Sequence, residues 1–405
     1  MPEAVIVATA RSPIGRATKG SLKDIRPDDL TVQMVTAALA KVPALDPRDI
    51  DDLMLGVGEP SGEAGNNLAR AVAVLAGFDR VPGTTVNRFC ASSLQTTRMA
   101  FHAIRAGEGD VFISAGVETM SRYLPGAADG LPASANPILA AAQARTERFT
   151  AGGQRWTDPR EDGLLPDVYI AMGQTAENVA QLKGISRAEQ DAFGVRSHNL
   201  TEKALSNGFW ERDITPVTLP DGRVISTDDG PRTGVTLESI SAMNPVFRPD
   251  GTVTAANCCS LNDGAASLVI MSDQKAKELG IAPLARIVST GVTGLSPEIM
   301  GLGPVEASRQ ALARAGLGIG DIDLVEINEA FAAQVIPSAR ELGIDEDRLN
   351  VNGGAIAVGH PFGMTGARIT STLINSLQTH DKQFGLETMC VGGGQGMALI
   401  LERLS

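Results

Sequence analysis

The hydrophobic pattern at the start of this chain recurs in its last third. Residues 4–9 read Ala-Val-Ile-Val-Ala-Thr and residues 285–290 read Ala-Arg-Ile-Val-Ser-Thr, so both follow A-x-I-V-x-T. Short apolar runs of this kind predict buried β-strands. Each run is followed by a helical stretch, an acidic turn with another strand, and a Val-Asn pair, at residues 86–87 and 351–352. Four features in the same order predict a duplicated structural unit.

Strand and helix patterns alternate within each repeat, which predicts an α/β fold with a mostly parallel sheet. We interpret residues 1–121 and 280–405 as the two halves. Residues 265–271 form an apolar run that predicts a strand returning to the first sheet, so residues 250–279 belong to the N-terminal half. A duplicated pair of this kind is expected to hold a site between its halves, at the ends of the strands.

The segment between the halves, residues 122–249, has a different character. Residues 122–170 are rich in Gly, Pro, Ala and Asp without clear periodicity, which is typical of loops and short helices. A helical stretch follows, and Ser186 and Glu189 have the spacing of a capping box that opens one of its helices. We therefore predict a loop domain inserted into a discontinuous N-terminal half.

Composition narrows the possible functions. The net charge of −12 argues against broad nucleic-acid binding, and it implies that an anionic substrate meets local positive contacts. No apolar run approaches the roughly 20 residues that span a membrane, and the first residues lack the pattern of a signal peptide. We therefore expect a cytoplasmic protein. The four cysteines are too few for a disulfide scaffold, and their spacing does not fit a zinc site.

Cys90 is the strongest local candidate for chemistry. It stands between a predicted strand and a helix in which Leu94, Phe101 and Ile104 recur at helical spacing. Unpaired N–H groups at a helix N-terminus favour a thiolate, so we expect a lowered pKa for Cys90. A thiolate is a nucleophile. The same local pattern also fits a small residue packed at a turn, and both interpretations stay open at this point.

His360 lies in a glycine-rich run, residues 352–363, that leads into a helix. Glycines let the backbone approach a ligand closely, which favours a functional histidine over one that only caps the next helix. The other histidines lie among polar neighbours on helical stretches and are predicted to face solvent: His102, His198 and His380.

Two further loops follow predicted strands. Cys390 precedes the glycine-rich residues 392–396, and the cysteine gives this common kind of loop more weight. Asn328 also follows a strand, where its side chain could orient a water or donate to an oxyanion. A helix N-cap is an equally good local interpretation of Asn328.

Taken together, these residues resemble the thiolase family, and the match covers essentially the whole chain. The motifs occur in the family's order: N-x-x-C-[AS]-S at 87–92, G-T-V-T-A-x-N at 251–257, N-E-A-F-A at 328–332, G-G-A-I-A-x-G-H-P-x-G at 353–363 and C-x-G-G-G-x-G at 390–396. The resemblance implies two duplicated α/β halves with mixed, mostly parallel sheets in an αβαβα layering. It also implies that the inserted loop domain binds coenzyme A (CoA).

The resemblance implies a role for each candidate. Cys90 would carry the acyl group, and His360 would activate it. Cys390 would be the acid and base that moves the proton on the acetyl carbon. His360 with a water held by Asn328 would form one oxyanion hole, and the backbone N–H groups of Cys90 and Gly392 would form the other.

Three positions of the resemblance concern CoA: Arg232, Cys259 and Met172. Cys259 stands where family members carry a serine, and a thiol donates only weakly. Ala171 precedes Met172, where short-chain biosynthetic members often have a histidine, so the case for a strictly acetoacetyl-CoA-specific enzyme is weaker. The family implies CoA as a substrate, no metal, no permanently bound cofactor, and a homodimer or homotetramer.

The predicted activity is the reversible, CoA-dependent cleavage of 3-ketoacyl-CoA to acetyl-CoA and a shortened acyl-CoA, as in fatty acid β-oxidation. An acetoacetyl-CoA-specific acetyltransferase is one alternative. A condensing enzyme of the ketoacyl-synthase type pairs one cysteine with two histidines or with histidine and asparagine, so Cys390 argues against it. A non-catalytic lipid-binding relative usually lacks a catalytic residue, and none is missing here.

Overall fold

Strands and helices alternate along the chain as the apolar pattern predicts. The computed structural model describes residues 1–123 and 135–405, so residues 124–134 of the predicted inserted domain lie outside the described residues. The strands of the described part are β1 (Ala4–Arg11), β2 (Gly15–Arg16), β3 (Asp52–Val57), β4 (Gly83–Val86), β5 (Val111–Thr119), β6 (Val217–Thr218), β7 (Val224–Ile225), β8 (Asn262–Ser272), β9 (Ala285–Gly294), β10 (Leu324–Ile327), β11 (Phe384–Val391) and β12 (Gln395–Arg403). The α-helices of the same part are α1 (Pro27–Ala40), α2 (Leu68–Leu75), α3 (Ser92–Ala106), α4 (Ala140–Thr150), α5 (Met172–Lys183), α6 (Arg187–Ser206), α7 (Phe209–Asp213), α8 (Leu237–Ser241), α9 (Asp273–Glu278), α10 (Gly303–Ala315), α11 (Ala332–Leu342), α12 (Ala355–Val358) and α13 (Thr365–Thr379).

One large mixed sheet runs through the molecule in the order β10-β11-β12-β9-β1-β8-β5-β3-β4, with β2 beside β8. In the first half, β1, β3, β4 and β5 run in one direction and β8 runs against them. In the second half, β9, β10 and β11 share a direction and β12 opposes them. The prediction of mostly parallel strands is therefore confirmed. The exceptions are β8 and β12. Each runs against the neighbouring strand on both of its sides, so the pairs that these two strands form are antiparallel.

The duplication is visible in the strand order. The halves match as β3-β5-β8-β1 and β10-β11-β12-β9, and they join where β1 pairs with β9 at Val5–Arg286 and Ile6–Ala285. The two strands that meet are the two copies of A-x-I-V-x-T, so the predicted repeat is confirmed. The halves differ at the outer edge of the sheet. The first half has strand β4 beside β3, whereas the second half has only an isolated bridge between Val325 and Leu349 at the matching position.

Helices cover both faces of each half. The amphipathic helices α1 and α2 bury apolar side chains on the outer face of the first half, and α10 and α11 do the same on the second. Helices α3 and α13 pack against each other between the two halves. The result is the αβαβα layering that the resemblance implies.

The two central helices approach unusually closely at Gly366 of α13. A Cβ atom on Gly366 would lie 2.2 Å from the backbone nitrogen of Leu94 in α3, so no larger residue fits. Beside it, the N–H of Ala367 donates to the hydroxyl of Ser93 at 2.9 Å. This contact brings the N-terminal ends of α3 and α13 together, and both helices follow loops that carry candidate catalytic residues.

The inserted segment contributes α4 to α8, and two predictions made for this segment and for the strand that follows it hold. Ser186 and Glu189 form the capping box that opens α6, and the predicted strand at 265–271 is part of β8. The exact division into domains stays a prediction. Among the described residues, no helix is long and apolar enough to cross a membrane.

Asp213 ties the inserted segment to both halves. Its carboxylate accepts from Arg11 Nε of β1 at 2.9 Å and from Asn375 Nδ2 of α13 at 2.6 Å. The Arg11 and Asp213 side chains are both fully buried. A buried charge needs its partner, so this pair matters for folding.

We expect Asp213→Ala to lower the free energy of unfolding by about 3–5 kcal/mol, because it leaves part of the Arg11 charge buried and uncompensated. Urea denaturation at neutral pH measures the change. Asp221→Ala is the control, since Asp221 pairs with Arg223 at the surface and its loss should scarcely move the midpoint. Equal shifts for the two variants would refute the anchoring role of Asp213.

Candidate active site

Cys90 lies in a short 3-10 turn, Phe89–Ala91, between β4 and α3, and only 8% of it is exposed. Phe89 has φ of +45°, a left-handed conformation that costs free energy for a residue with a side chain. Asn87 holds the turn, because its side-chain oxygen accepts from the N–H of Phe89 at 2.8 Å and its amide donates to the carbonyl of Gly58 at 3.2 Å. The position of the thiol is therefore imposed by its surroundings.

Cys390 and Gly392 lie beside this turn. The turn contacts both β11 and α13, and Cys390 is a fully buried residue near the end of β11. A Cβ atom on Gly392 would lie 3.1 Å from Cγ of Phe89. The backbone N–H of Gly392 donates toward the Cys90 sulfur. The structure thus brings Cys90 beside Cys390 and Gly392, which lie about 300 residues further along the chain.

His360 stands in the loop before α13 with 1% of its surface exposed. Its Nδ1 lies 2.7 Å from the hydroxyl of Thr365, and that hydroxyl donates to the carbonyl of Pro361 at 2.7 Å. Because the hydroxyl proton is already used, Nδ1 must carry the hydrogen of the imidazole. The lone pair is then on Nε2, and Asn328 Nδ2 is 3.3 Å from it.

Burial, with a smaller contribution from the positive charge of Arg368, lowers the pKa of His360 to about 3. The imidazole is therefore neutral at physiological pH. A neutral imidazole whose Nε2 carries a lone pair can accept a proton, which is what a general base requires.

The expected low pKa of Cys90 is wrong for the unliganded site. The pKa of Cys90 is raised to about 12: burial is the main cause and nearby Glu118 and Glu59 add to it, while N–H donation from Gly392 and from Cys90 itself acts in the opposite direction. Desolvation outweighs the stabilisation available at the helix N-terminus. Cys90 is consequently a thiol at rest and needs a base before it can attack.

The pKa of Cys390 is also raised, well above the ordinary value that its proposed role suggested. Burial is the main cause, and the neighbouring Cys90 adds to it. Cys390 therefore holds its proton throughout the physiological range.

Cys259 and Met172 border the same pocket. Burial raises the pKa of Cys259, and electrostatic coupling to Cys90 and Cys390 contributes, which places the three thiols near one another. Cys259 and Met172 pack against the apolar cluster that contains Cys390 and Phe331. Cys259 and Met172, the two residues that the resemblance links to CoA binding, therefore both lie at the candidate site.

Asn328 follows β10, and its side-chain oxygen is buried without a hydrogen-bond partner. A buried, unpaired acceptor is uncommon and marks a place for a water or a ligand donor. The alternative role as a helix N-cap is wrong, because α11 begins later and Phe331 is its N-cap.

A small basic pocket of about 50 Å³ opens nearby, lined by Arg16, His198, Arg232, Cys258 and Ser260 among others. Burial, with smaller contributions from the charges of Arg232 and Arg16, lowers the pKa of His198 to about 4. Nδ1 of His198 is buried without a partner. The two arginines make the pocket suitable for an anionic group.

The prediction that His198 faces solvent is wrong, since only 6% of it is exposed. It lies with Ser197 and Thr201 on the face of α6 that packs against α12, and these neighbours are small and polar. A buried helix face without large apolar side chains has no strong hydrophobic signal, so the sequence pattern missed it. His102 and His380 are exposed as predicted.

Within residues 1–123 and 135–405, no group of three or more His, Cys, Asp or Glu side chains is arranged to hold a metal ion. All four cysteines are free thiols.

A buried cysteine beside backbone donors, together with a neutral histidine, defines a site for acyl transfer. Residues 4–274 match the family described as thiolase, N-terminal domain, and residues 281–403 match thiolase, C-terminal domain. The chain belongs to the thiolase family.

Relatives of the full length carry related names. The chain is 43% identical to the 3-ketoacyl-CoA thiolase of Bacillus subtilis (strain 168), over 99% of this chain and 100% of that protein. It is also 43% identical to the 3-oxoadipyl-CoA/3-oxo-5,6-dehydrosuberyl-CoA thiolase of Escherichia coli (strain K12), over the whole of both. The crystal structure of the Bacillus anthracis acetyl-CoA acetyltransferase superposes with a TM-score of 0.86 and 39% identity, covering 100% of this chain and 99% of that one.

The raised pKa of Cys90 predicts its reactivity in the free protein. Only the thiolate reacts with iodoacetamide, so the alkylation rate should rise about tenfold per pH unit and show no plateau below about pH 10. Mass spectrometry of the peptide that contains Cys90, after timed alkylation at a series of pH values, measures the rate. A plateau near neutral pH would contradict the dominance of burial.

Proposed function

We propose that this chain is a thiolase that cleaves 3-ketoacyl-CoA with free CoA, giving acetyl-CoA and an acyl-CoA two carbons shorter. The observation that carries the proposal is the meeting of Cys90, Cys390 and the N–H of Gly392 in one buried pocket. Cleavage of 3-ketoacyl-CoA substrates of different chain lengths, followed by loss of the ketoacyl-CoA absorbance, tests it. A purified protein that cleaves none of them would refute it.

In the first step, Cys90 attacks the 3-keto carbon of the substrate. His360 Nε2 takes the thiol proton, which the neutral imidazole can accept and which the buried thiol cannot lose unaided. The negative charge that develops on the keto oxygen is stabilised by the N–H groups of Cys90 and Gly392. These donors belong to the rigid backbone, so they need no reorganisation during the reaction.

In the second step, the bond between C2 and C3 breaks and the acetyl-CoA part leaves as an enolate. His360 and a water held by Asn328 stabilise its oxygen, and the unpaired side-chain oxygen of Asn328 supports such a water. Cys390 then donates its proton to the acetyl carbon. The raised pKa of Cys390 suits this role, because the group is protonated when the enolate forms.

In the third step, the thiolate of free CoA attacks the thioester on Cys90. The proton of the CoA thiol returns Cys390 to its thiol form, the shortened acyl-CoA leaves, and His360 gives its proton back to the Cys90 sulfur. All steps are reversible, so the same groups can run the condensation. CoA serves as a substrate, and these steps require no metal and no permanently bound cofactor.

CoA is proposed to bind against the inserted domain, which we assign to residues 122–249. The pocket with Arg232, Arg16 and His198 suits a phosphate of the nucleotide part, and Met172 and Cys259 suit the pantetheine arm nearer the thiols. The two arginines concentrate positive charge there despite the net charge of −12.

The finer assignments rest on the family. We propose a role in fatty acid β-oxidation, in a cytoplasmic homodimer or homotetramer. Ala171 in place of a bulkier side chain favours acyl groups longer than acetoacetyl, which separates this proposal from an acetoacetyl-CoA-specific enzyme. Comparing kcat/KM across chain lengths decides between them.

The Cys390→Ala variant should separate the two half-reactions. It should still take an acyl group onto Cys90 from a simple acyl-CoA, but lose at least about 100-fold in carbon–carbon cleavage, because no group moves the proton. Mass spectrometry reports the acyl-enzyme, and a thiolysis assay reports cleavage. Cys90→Ser is the reference that should lose both. Failure of Cys390→Ala to become acylated would show that Cys390 is needed by the nucleophile itself.

The Arg232→Ala variant should raise KM for CoA about tenfold with little change in kcat, since a phosphate contact is equal in the ground and transition states. Its KM should also depend less on salt. Arg223→Ala is a matched control, because Arg223 is an exposed arginine of the same segment that pairs with Asp221. A drop in kcat at unchanged KM would place Arg232 outside the CoA site.

A further inference from the structure

Glu118 is a buried carboxylate at the end of β5 whose hydrogen bonds all go to loop backbone. It is 3% exposed. Its Oε2 accepts from the N–H of Gly58 and from the N–H of Gly363, both at 2.9 Å, and its Oε1 accepts from the N–H of Glu59 at 3.2 Å. One side chain thus joins two loops that come from different halves of the molecule.

Each of these loops is tied to a catalytic group. Gly58 accepts from Asn87, and Asn87 in turn holds the strained Phe89 next to Cys90. On the other side, Gly363 is three residues beyond His360 in the loop that opens α13. The Glu118 carboxylate is therefore one hydrogen bond away from the His360 loop and three away from the turn of Cys90.

The close packing of the two loops leaves little room for another side chain to hold them in place. A Cβ atom on Gly363 would lie 2.2 Å from the carbonyl oxygen of Val117, and one on Gly58 would lie 2.6 Å from Oε2 of Glu118. Both loops have a glycine where they meet the end of β5, so their backbone packs directly against this strand. A carboxylate at this place can reach both at once, because it has two oxygens and several lone pairs.

The negative charge of Glu118 disfavours the thiolate form of Cys90. Burial raises the pKa of Glu118 to about 7, and its negative charge is among the causes that raise the pKa of Cys90. The titratable groups that face it are Glu59 and Cys90, and the cleft beyond is lined by Glu63 and Arg122. Because the Glu118 carboxylate opposes thiolate formation, it cannot serve to activate Cys90. Its contribution must come from the two loops that it holds by hydrogen bonds.

We propose that Glu118 is a positioning residue for acyl transfer, which sets the separation between the Cys90 turn and the His360 loop by binding the backbone of both. The inference rests on the proposed thiolase function. Glu118 touches neither the substrate nor the reacting atoms, and acts through Gly58 and Gly363.

Two variants separate the position of Glu118 from its charge. Glu118→Gln removes the charge and turns one acceptor into a donor that faces backbone N–H groups. Its kcat for thiolysis should fall about 10- to 100-fold through misplacement, while the alkylation rate of Cys90 at pH about 8 rises severalfold. Glu118→Asp keeps the charge but is one methylene too short to reach both loops. Its kcat should fall similarly, with the alkylation rate within about twofold of the wild type.

Asp51→Asn is the structural control. Asp51 accepts from the N–H groups of Asp110 and Val111, at 2.7 and 2.9 Å, at the opposite end of β5. It should lower the thermal midpoint and leave kcat unchanged. Wild-type kcat in both Glu118 variants, or an equal loss of kcat in Asp51→Asn, would overturn the proposal. If the wild type itself cleaves no 3-ketoacyl-CoA, the proposed function fails instead, and the alkylation rates still report whether Glu118 acts on Cys90.

Discussion

The close packing of α3 against α13 is the contact on which the rest of the site depends. Gly366 allows the α13 backbone to lie against Leu94 of α3 at a distance that a Cβ atom would forbid. Cys90 immediately precedes α3, and His360 lies in the loop that leads into α13. Since each helix belongs to a different copy of the duplicated unit, neither half contains a complete site. Chemistry becomes possible only where the two copies meet.

Burial at this junction decides the charge state of the groups. Removal from water penalises every ionised form, so the pKa of His360 falls while those of Cys90 and Cys390 rise. The resting site therefore holds a neutral base and two protonated thiols. In the proposed mechanism, each proton transfer therefore follows the arrival of substrate, because an ion at this depth needs a partner.

Much of this arrangement could be predicted from the sequence, because it depends on local patterns. The two A-x-I-V-x-T runs identified the strands that pair at the centre of the sheet, and the glycine-rich loops around His360 and Cys390 identified catalytic candidates. Those signals are strong because close backbone approach requires glycine, and because a buried strand requires an apolar run.

The rest depends on contacts between distant residues, and local patterns do not contain them. A helix N-terminus lowers the pKa of an exposed cysteine, but at Cys90 burial outweighs this effect and the pKa is raised. His198 was misplaced because small polar neighbours bury it. No sequence pattern singles out Glu118, because a glutamate at the end of a strand indicates a positioning role only when the loops that pack against it are known.

The central claim is that Cys90 carries the acyl group while His360 and Cys390 handle protons around it. The most direct test is to mix the wild-type protein with a 3-ketoacyl-CoA in the absence of free CoA, quench, and map the products by peptide mass spectrometry. The account predicts an acyl group two carbons shorter than the substrate on the Cys90 peptide, with an equal amount of acetyl-CoA released. An acyl group on Cys258, Cys259 or Cys390, or release of acetyl-CoA without any acyl-enzyme, would contradict it.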